Sequence, residues 1–273
     1  MSLDPTIAGY YARTPEESRL EHGAFRLEGV RTRELIERHA PPPPATVLDV
    51  GGAAGAYALW LAASGYRVHL IDAVARLVSE AARRSDRSPR PLASCRVGDA
   101  RALDWPDASA DLVLLLGPLY HLTDRADRVR ALREARRVLR PEGRVLAAAI
   151  SRAASALDGL SRELFGDPRF EAIVARDLND GQHRNTTDRP DYFTTAFFHR
   201  PEELVGELDE AGLTVHGVYG IEGPGWLLPD IAQRMEDEAR REQVVRVARL
   251  LESDPGVMGV SAHLLAVGRG GAG

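Results

Sequence analysis

The 273-residue sequence contains no lysine; all 35 of its basic side chains are arginine. That excludes mechanisms needing a side-chain amine: a Walker A loop, a kinase-type lysine, a pyridoxal Schiff base. The single cysteine, Cys95, forms no intramolecular disulfide and has no companions for a structural zinc site. It fits a reducing compartment, and we expect a cytoplasmic protein. No apolar run reaches the roughly 18 residues that span a bilayer. The N-terminus, with Asp4, Glu16 and Glu17, lacks the basic-then-apolar order of a signal peptide. The histidines show no metal-helix spacing, no Gly-x-Ser-x-Gly elbow occurs, and a formal charge of -5 argues against phosphate backbones as partners. The expectation is therefore no metal, no nucleic acid and no membrane.

What is present is an alternation of short apolar runs and amphipathic stretches. Residues 1–44 read as a helical segment ended by the proline run Pro41 to Pro44. From 45 to 152, apolar strands such as Leu112 to Leu116 and Val145 to Ile150 alternate with helices, the order of a doubly wound α/β unit whose central strands are buried on both faces. Residues 153–200 lose that regularity and read as an inserted lid. Residues 201–273 return to helix and strand, with a charged helix over about 231–252 and a Gly-rich tail, Gly268 to Gly273, that reads as disordered.

The chemistry concentrates in Val47-Leu48-Asp49-Val50-Gly51-Gly52-Ala53-Ala54-Gly55, a strand that turns through small residues into a helix. Such a turn lets a ligand approach the backbone, and the helix start presents unpaired amides. Asp72, ending the second strand, can accept from a ribose diol, and Asp99, ending the third, stands at the same edge. Each has a structural alternative: Asp49 could brace the turn, and Asp72 could cap the next helix.

These motifs resemble those of the class I S-adenosylmethionine-dependent methyltransferases. The family's Gly-x-Gly-x-Gly turn appears as Asp49, Gly51 and Gly55, with Gly52 beside them and Ala53 in the middle glycine position. Asp72 matches the ribose-binding acid and Asp99, with Ala100, the adenine side. The stretch from Asp111 through Leu116 and Gly117 to His121 is similar to the fourth strand and the loop facing the methyl group. Leu139 to Val145 is similar to the turn into strand five. The resemblance implies a mostly parallel seven-stranded sheet with an antiparallel last strand and S-adenosyl-L-methionine as cofactor; the inserted lid and the non-basic surface point to methyl transfer to an oxygen or nitrogen of a small, enclosed molecule.

His121 is the leading catalytic candidate, since its loop follows strand four. Tyr10 and Tyr11 lie where an N-terminal segment would close over the site, and Tyr11 is assigned to the cofactor. Arg31 could hold the cofactor carboxylate through its fork. Tyr10, Tyr120, His121, His199 and Trp226 are expected around the acceptor, with His183, Asn185 and Tyr192 as further lid candidates. Two rival readings remain. One is an NAD-dependent oxidoreductase, disfavoured because Ala53 and Ala56 fall where its fingerprint wants glycine; the other is a non-catalytic cofactor-binding regulator. A monomer and a homodimer are both compatible with the sequence.

Overall fold

Leu112 to Leu115 and Val145 to Ala147 are buried on both faces, which only the middle of a covered sheet provides. The computed structural model describes residues 4–13 and 19–270. Its first strand, β1 (Thr46–Val50), pairs in parallel with β2 (Arg67–Asp72) on one side and β4 (Ala110–Leu115) on the other. β3 (Ser94–Val97) extends the sheet beyond β2, and β5 (Leu139–Ser151) beyond β4. β9 (His263–Gly270) runs antiparallel to β5, and β8 (Leu213–Gly220) pairs antiparallel with β9. The order β3-β2-β1-β4-β5-β9-β8 is thus the expected seven-stranded sheet with one reversed strand.

Helices cover both faces. On one, α2 (Phe25–His39) and α3 (Ala56–Ala63) place Leu35, Ile36, Ala58 and Leu61 against Val47, Leu114, Leu146 and Leu265. On the other, α6 (Arg125–Val138) and α9 (Pro201–Glu210) cover Leu48, Val113 and Val145. Asp124 caps α6 by accepting from the Ala126 amide at 2.8 Å, which fixes where the loop after β4 ends. A short helix, α5 (Pro118–His121), follows β4 directly, and α4 (Ala75–Asp86) follows β2.

The N-terminal helical segment contains α1 (Pro5–Arg13) ahead of α2. The segment 153–200 holds α7 (Ala154–Ser161), α8 (Pro168–Asp180) and a hairpin of β6 (Gln182–His183) and β7 (Ala196–His199). β7 pairs in parallel with the end of β5, so this stretch is sewn to the sheet edge. Two expectations need correction. The helix over 231–252 is two helices, α10 (Ile231–Glu236) and α11 (Glu238–Leu251), because Asp237 leaves helical geometry to cap the second through the Arg240 amide at 2.8 Å. Gly268 to Gly270 are strand, since β5 and β8 supply their pairing; residues 271–273 lie outside the described residues.

Candidate active site

The turn after β1 and the loops after β2, β3 and β4 line one cavity of about 650 Å³ at the carboxyl edge of the sheet. That size falls within the ~300–1,000 Å³ range of small-molecule sites. The turn is built from what side chains would forbid. Gly51 sits at φ 76°, and a Cβ there would lie 2.5 Å from Pro118 Cδ; one on Gly52 would lie 2.7 Å from Asp49 Oδ2. Ala53 adopts φ 46°, a left-handed conformation that costs an L-residue about 1–2 kcal/mol. Its amide donates to Asp72 Oδ2 at 2.9 Å, and this bond holds the unfavourable geometry in place.

Asp72 is 8% exposed, and its other oxygen accepts from the Val74 amide at 2.8 Å. The cap position of α4 is Val74, so Asp72 braces two loops and does not cap the helix. Burial pushes its carboxyl up, while the Val74 and Ala53 amides pull it back. Each of its oxygens accepts one amide bond, which leaves further acceptor capacity facing the cavity. Asp49 is 1% exposed, and neither carboxylate oxygen has a hydrogen-bond partner among the described residues. Burial, and then the charge of Asp72, push it up to about 7 against a weaker pull from the Ala58 amide. A buried carboxylate without a donor is costly unless a ligand supplies one. Asp99 is opposite in character. Burial raises its carboxyl, but Arg101 outweighs it with paired bonds of 2.9 and 2.7 Å and holds it below the ordinary value. Arg101 also reaches Asp127 at 2.6 Å, tying the β3 loop to α6.

Over the other wall, Tyr11 from α1 bonds His121 Nε2 at 2.7 Å, and His121 Nδ1 lies 3.3 Å from the Thr195 carbonyl. The carbonyl can only accept, so Nδ1 carries the hydrogen and Nε2 accepts from the phenol. Burial pushes this imidazole down to about 4. It is neutral near pH 7, with both nitrogens engaged.

Of the residues expected from sequence, Tyr11, Asp49, Gly51, Gly52, Asp72, Asp99, Ala100, Leu116, Gly117, Tyr120 and His121 line this cavity. Gly55 stands behind the turn as the α3 cap at φ 85°. Tyr10 packs edge-on against Tyr11 and Phe193. Three assignments are corrected. Arg31 is fully buried, and its fork is consumed by Glu34, Glu252 and the Ile221 carbonyl. His199 is fully buried against Glu207 at 3.2 Å, which Arg128 grips from the other side. Trp226 donates to the Val260 carbonyl at 2.9 Å and packs against the Leu27–Met235 cluster. In the lid stretch, His183 is locked between Asp177 and the Tyr192 carbonyl, and Asn185 bonds the Arg189 and Phe193 carbonyls.

Sequence reading missed a second polar group on the cavity wall. Arg19 grips Glu28 of α2 at 2.6 and 2.9 Å, and His263, the first residue of β9, bonds Glu222 at 2.6 Å. Burial lowers His263, but the charges of Glu28 and Glu222 outweigh it and raise the imidazole above 6.5. Glu28, Glu222 and His263 offer donor atoms within 4.8 Å of one another. They could hold a cation, yet Arg19, Ser261 and the His263–Glu222 pairing already satisfy them.

Residues 48–147 match the model of a methyltransferase domain. Over 150 residues the chain is 35% identical to a ubiquinone/menaquinone biosynthesis C-methyltransferase of Acidiphilium cryptum, covering 54% of this chain and 59% of that protein. Over 159 residues it is 36% identical to a malonyl-[acyl-carrier protein] O-methyltransferase of Methylococcus capsulatus, covering 53% and 56%. The chain thus spans under two thirds of the length of these relatives. Among solved structures, a methyltransferase from Methanosarcina mazei superposes with a TM-score of 0.60 at 16% identity, covering 88% of this chain and 98% of that one. The CcbJ methyltransferase of Streptomyces caelestis gives 0.60 at 16%, covering 100% and 99%. At such identities the likeness is one of fold. The small-residue turn braced by Asp72 thus falls within the stretch, residues 48–147, that matches a methyltransferase domain, and the sheet order is that of a fold shared with solved methyltransferases.

Proposed function

We propose that the protein transfers the methyl group of S-adenosylmethionine to an oxygen or nitrogen of a small molecule held in the cavity that α1 and the β4–α6 loop line. The observation that carries this reading is the pair Asp49 and Asp72: a buried carboxylate with neither oxygen in hydrogen-bond geometry, beneath a turn whose Gly51 and Gly52 leave no room for a Cβ, beside a second carboxylate with acceptor capacity to spare. A cationic nucleoside ligand fits such a wall, its diol on Asp72, its adenine amino group near Asp99, and its ammonium toward Asp49.

When bound, the cofactor supplies an electrophilic methyl carbon. The protein's part is alignment, since in-line displacement gains most from holding the nucleophile close and collinear. Neutral His121, fixed by Thr195 and Tyr11, is suited to orienting the acceptor by a hydrogen bond; an imidazole lowered to about 4 is a weak proton acceptor at neutral pH. By their names one relative is a C-methyltransferase of ubiquinone/menaquinone biosynthesis and the other an O-methyltransferase of malonyl-[acyl-carrier protein]; the second supports the oxygen reading.

Calorimetry tests the reading. S-adenosylhomocysteine binds the wild type, and Asp72→Ala weakens it at least about tenfold, the loss of two hydrogen bonds to a charged acceptor. Equal affinity in both proteins, or NAD binding in place of the homocysteine, would overturn it.

A further inference from the structure

His263 and Glu222 form an oriented histidine–carboxylate dyad that the cofactor reading does not use. Glu222 is 2% exposed and is fixed from several sides. Its Oε2 accepts from Ser261 Oγ at 2.7 Å and from the His263 amide at 3.0 Å, and its Oε1 meets His263 Nδ1 at 2.6 Å. Ser261 Oγ in turn accepts from the Glu222 and Gly223 amides at 2.9 and 3.2 Å. A carboxylate held this firmly has one free variable left to control, the orientation and tautomer of the imidazole. With Nδ1 on Glu222, Nε2 is the ring nitrogen without a hydrogen-bond partner among the described residues, and the side chain lines the cavity. His121 is the reverse case, with both nitrogens engaged.

Position separates the dyad from the nucleoside groups. Asp72 and Asp99 follow β2 and β3, on one side of β1. His263 pairs with Ile150 at the carboxyl end of β5, on the other side. It lies three strands from β1, a lateral offset of about 14 Å at ~4.8 Å per strand. Ile221, which also lines the cavity, donates its amide to the His263 carbonyl at 3.0 Å.

We propose that His263, oriented by Glu222, takes the proton from the methyl acceptor. This rests on the methyltransferase reading and names the acceptor class, a hydroxyl or amine that must lose a proton to react. The acceptor's O–H or N–H proton passes to Nε2. The freed pair forms the bond to the methyl carbon as the carbon–sulfur bond breaks, and the bonding electrons stay on sulfur. The imidazolium rests on Glu222 and later returns its proton to solvent. The charged groups facing the ring are Glu222 before α10, Glu28 on α2 and Arg19 ahead of α2, and the carboxylates raise the imidazole above 6.5. The step needs the neutral ring, so its rate falls as pH drops through that raised value.

Nitrogen-15 NMR of histidine-labelled protein, with and without saturating S-adenosylhomocysteine, tests the assignment. We expect the His263 ring to keep titrating above 6.5 in the complex. Glu222→Gln should shift that midpoint down by about one pH unit, a tenfold change in proton affinity, while Glu222→Asp restores most of it. His263→Gln should leave homocysteine affinity within about threefold, less than one hydrogen bond is worth. If His263→Gln does not fold, the Glu222→Gln midpoint decides alone. Titration suppressed by the ligand, a homocysteine affinity lost more than tenfold in His263→Gln, or a midpoint unmoved in Glu222→Gln would overturn the proposal. Failure of the wild type to bind the homocysteine would instead sink the cofactor reading.

Discussion

Replacing Asp49 by asparagine should make the ligand-free protein more stable at neutral pH while impairing its site. The carboxyl is raised from 3.8 to about 7 by burial and by Asp72, and its side chain is 1% exposed, so solvent screening is no discount. A carboxyl whose folded value lies above its unfolded one favours folding when protonated. It therefore costs nothing below about pH 4 and costs progressively more up to about pH 7. Three pH units at 1.36 kcal/mol each put that cost on the order of 4 kcal/mol at pH 7. Asparagine removes the charge but leaves a buried amide without partners, a penalty of about 1–3 kcal/mol. The net gain at pH 7 is about 1–3 kcal/mol, read as an increased urea midpoint at unchanged slope. At pH 4 the gain should vanish or reverse. An Asp49→Asn variant no more stable than wild type at pH 7, or a gain equal at both pH values, would refute the reasoning.

Arg31→Met should cost about 1–3 kcal/mol, since it leaves the Ile221 carbonyl without its donor while Glu34 keeps Arg249 and Glu252 keeps Arg38. Urea unfolding would measure this, and homocysteine affinity of the folded variant should be unchanged; a selective loss of affinity would return Arg31 to the site. Gly52→Ala forces a Cβ to 2.7 Å from Asp49 Oδ2 and 3.0 Å from Leu70 Cδ1, so it should weaken homocysteine binding at least about tenfold by calorimetry. Unchanged affinity would mean that the turn has room the geometry denies. His121, lowered to about 4, contributes stability present above pH 6.5 and lost as pH falls toward 4, on the order of 3 kcal/mol. His121→Phe should flatten the stability profile across that window, and an unaltered slope would contradict the buried neutral ring.

The sheet was legible because its strands are apolar runs bounded by Gly, Pro or Asp, so periodicity and punctuation agree. Asp49, Asp72 and Asp99 were legible for a related reason: each lies at or near the end of a strand, and strand ends share one edge. Sequence could not say which of several arginines on the N-terminal helices turns toward the cavity. Arg31 is the neighbour of Thr32, which lines the site, yet its own side chain is directed to Glu34 and Glu252. His199 reads as a polar residue in a lid, but β7 joins the sheet edge and buries it on Glu207. The Glu28–Glu222–His263 group was invisible because only the antiparallel return of β9 brings residues 28, 222 and 263 together. Its one local sign is that Glu222 opens a turn-rich stretch.

A crystal structure with S-adenosylhomocysteine tests the central claim most directly. Both sugar hydroxyls should lie on Asp72, adenine beside Asp99, and the amino-acid end over the Gly51–Ala53 turn toward Asp49. A nucleoside seated on the β5–β9 side of the cavity, or away from the carboxyl edge, would contradict it.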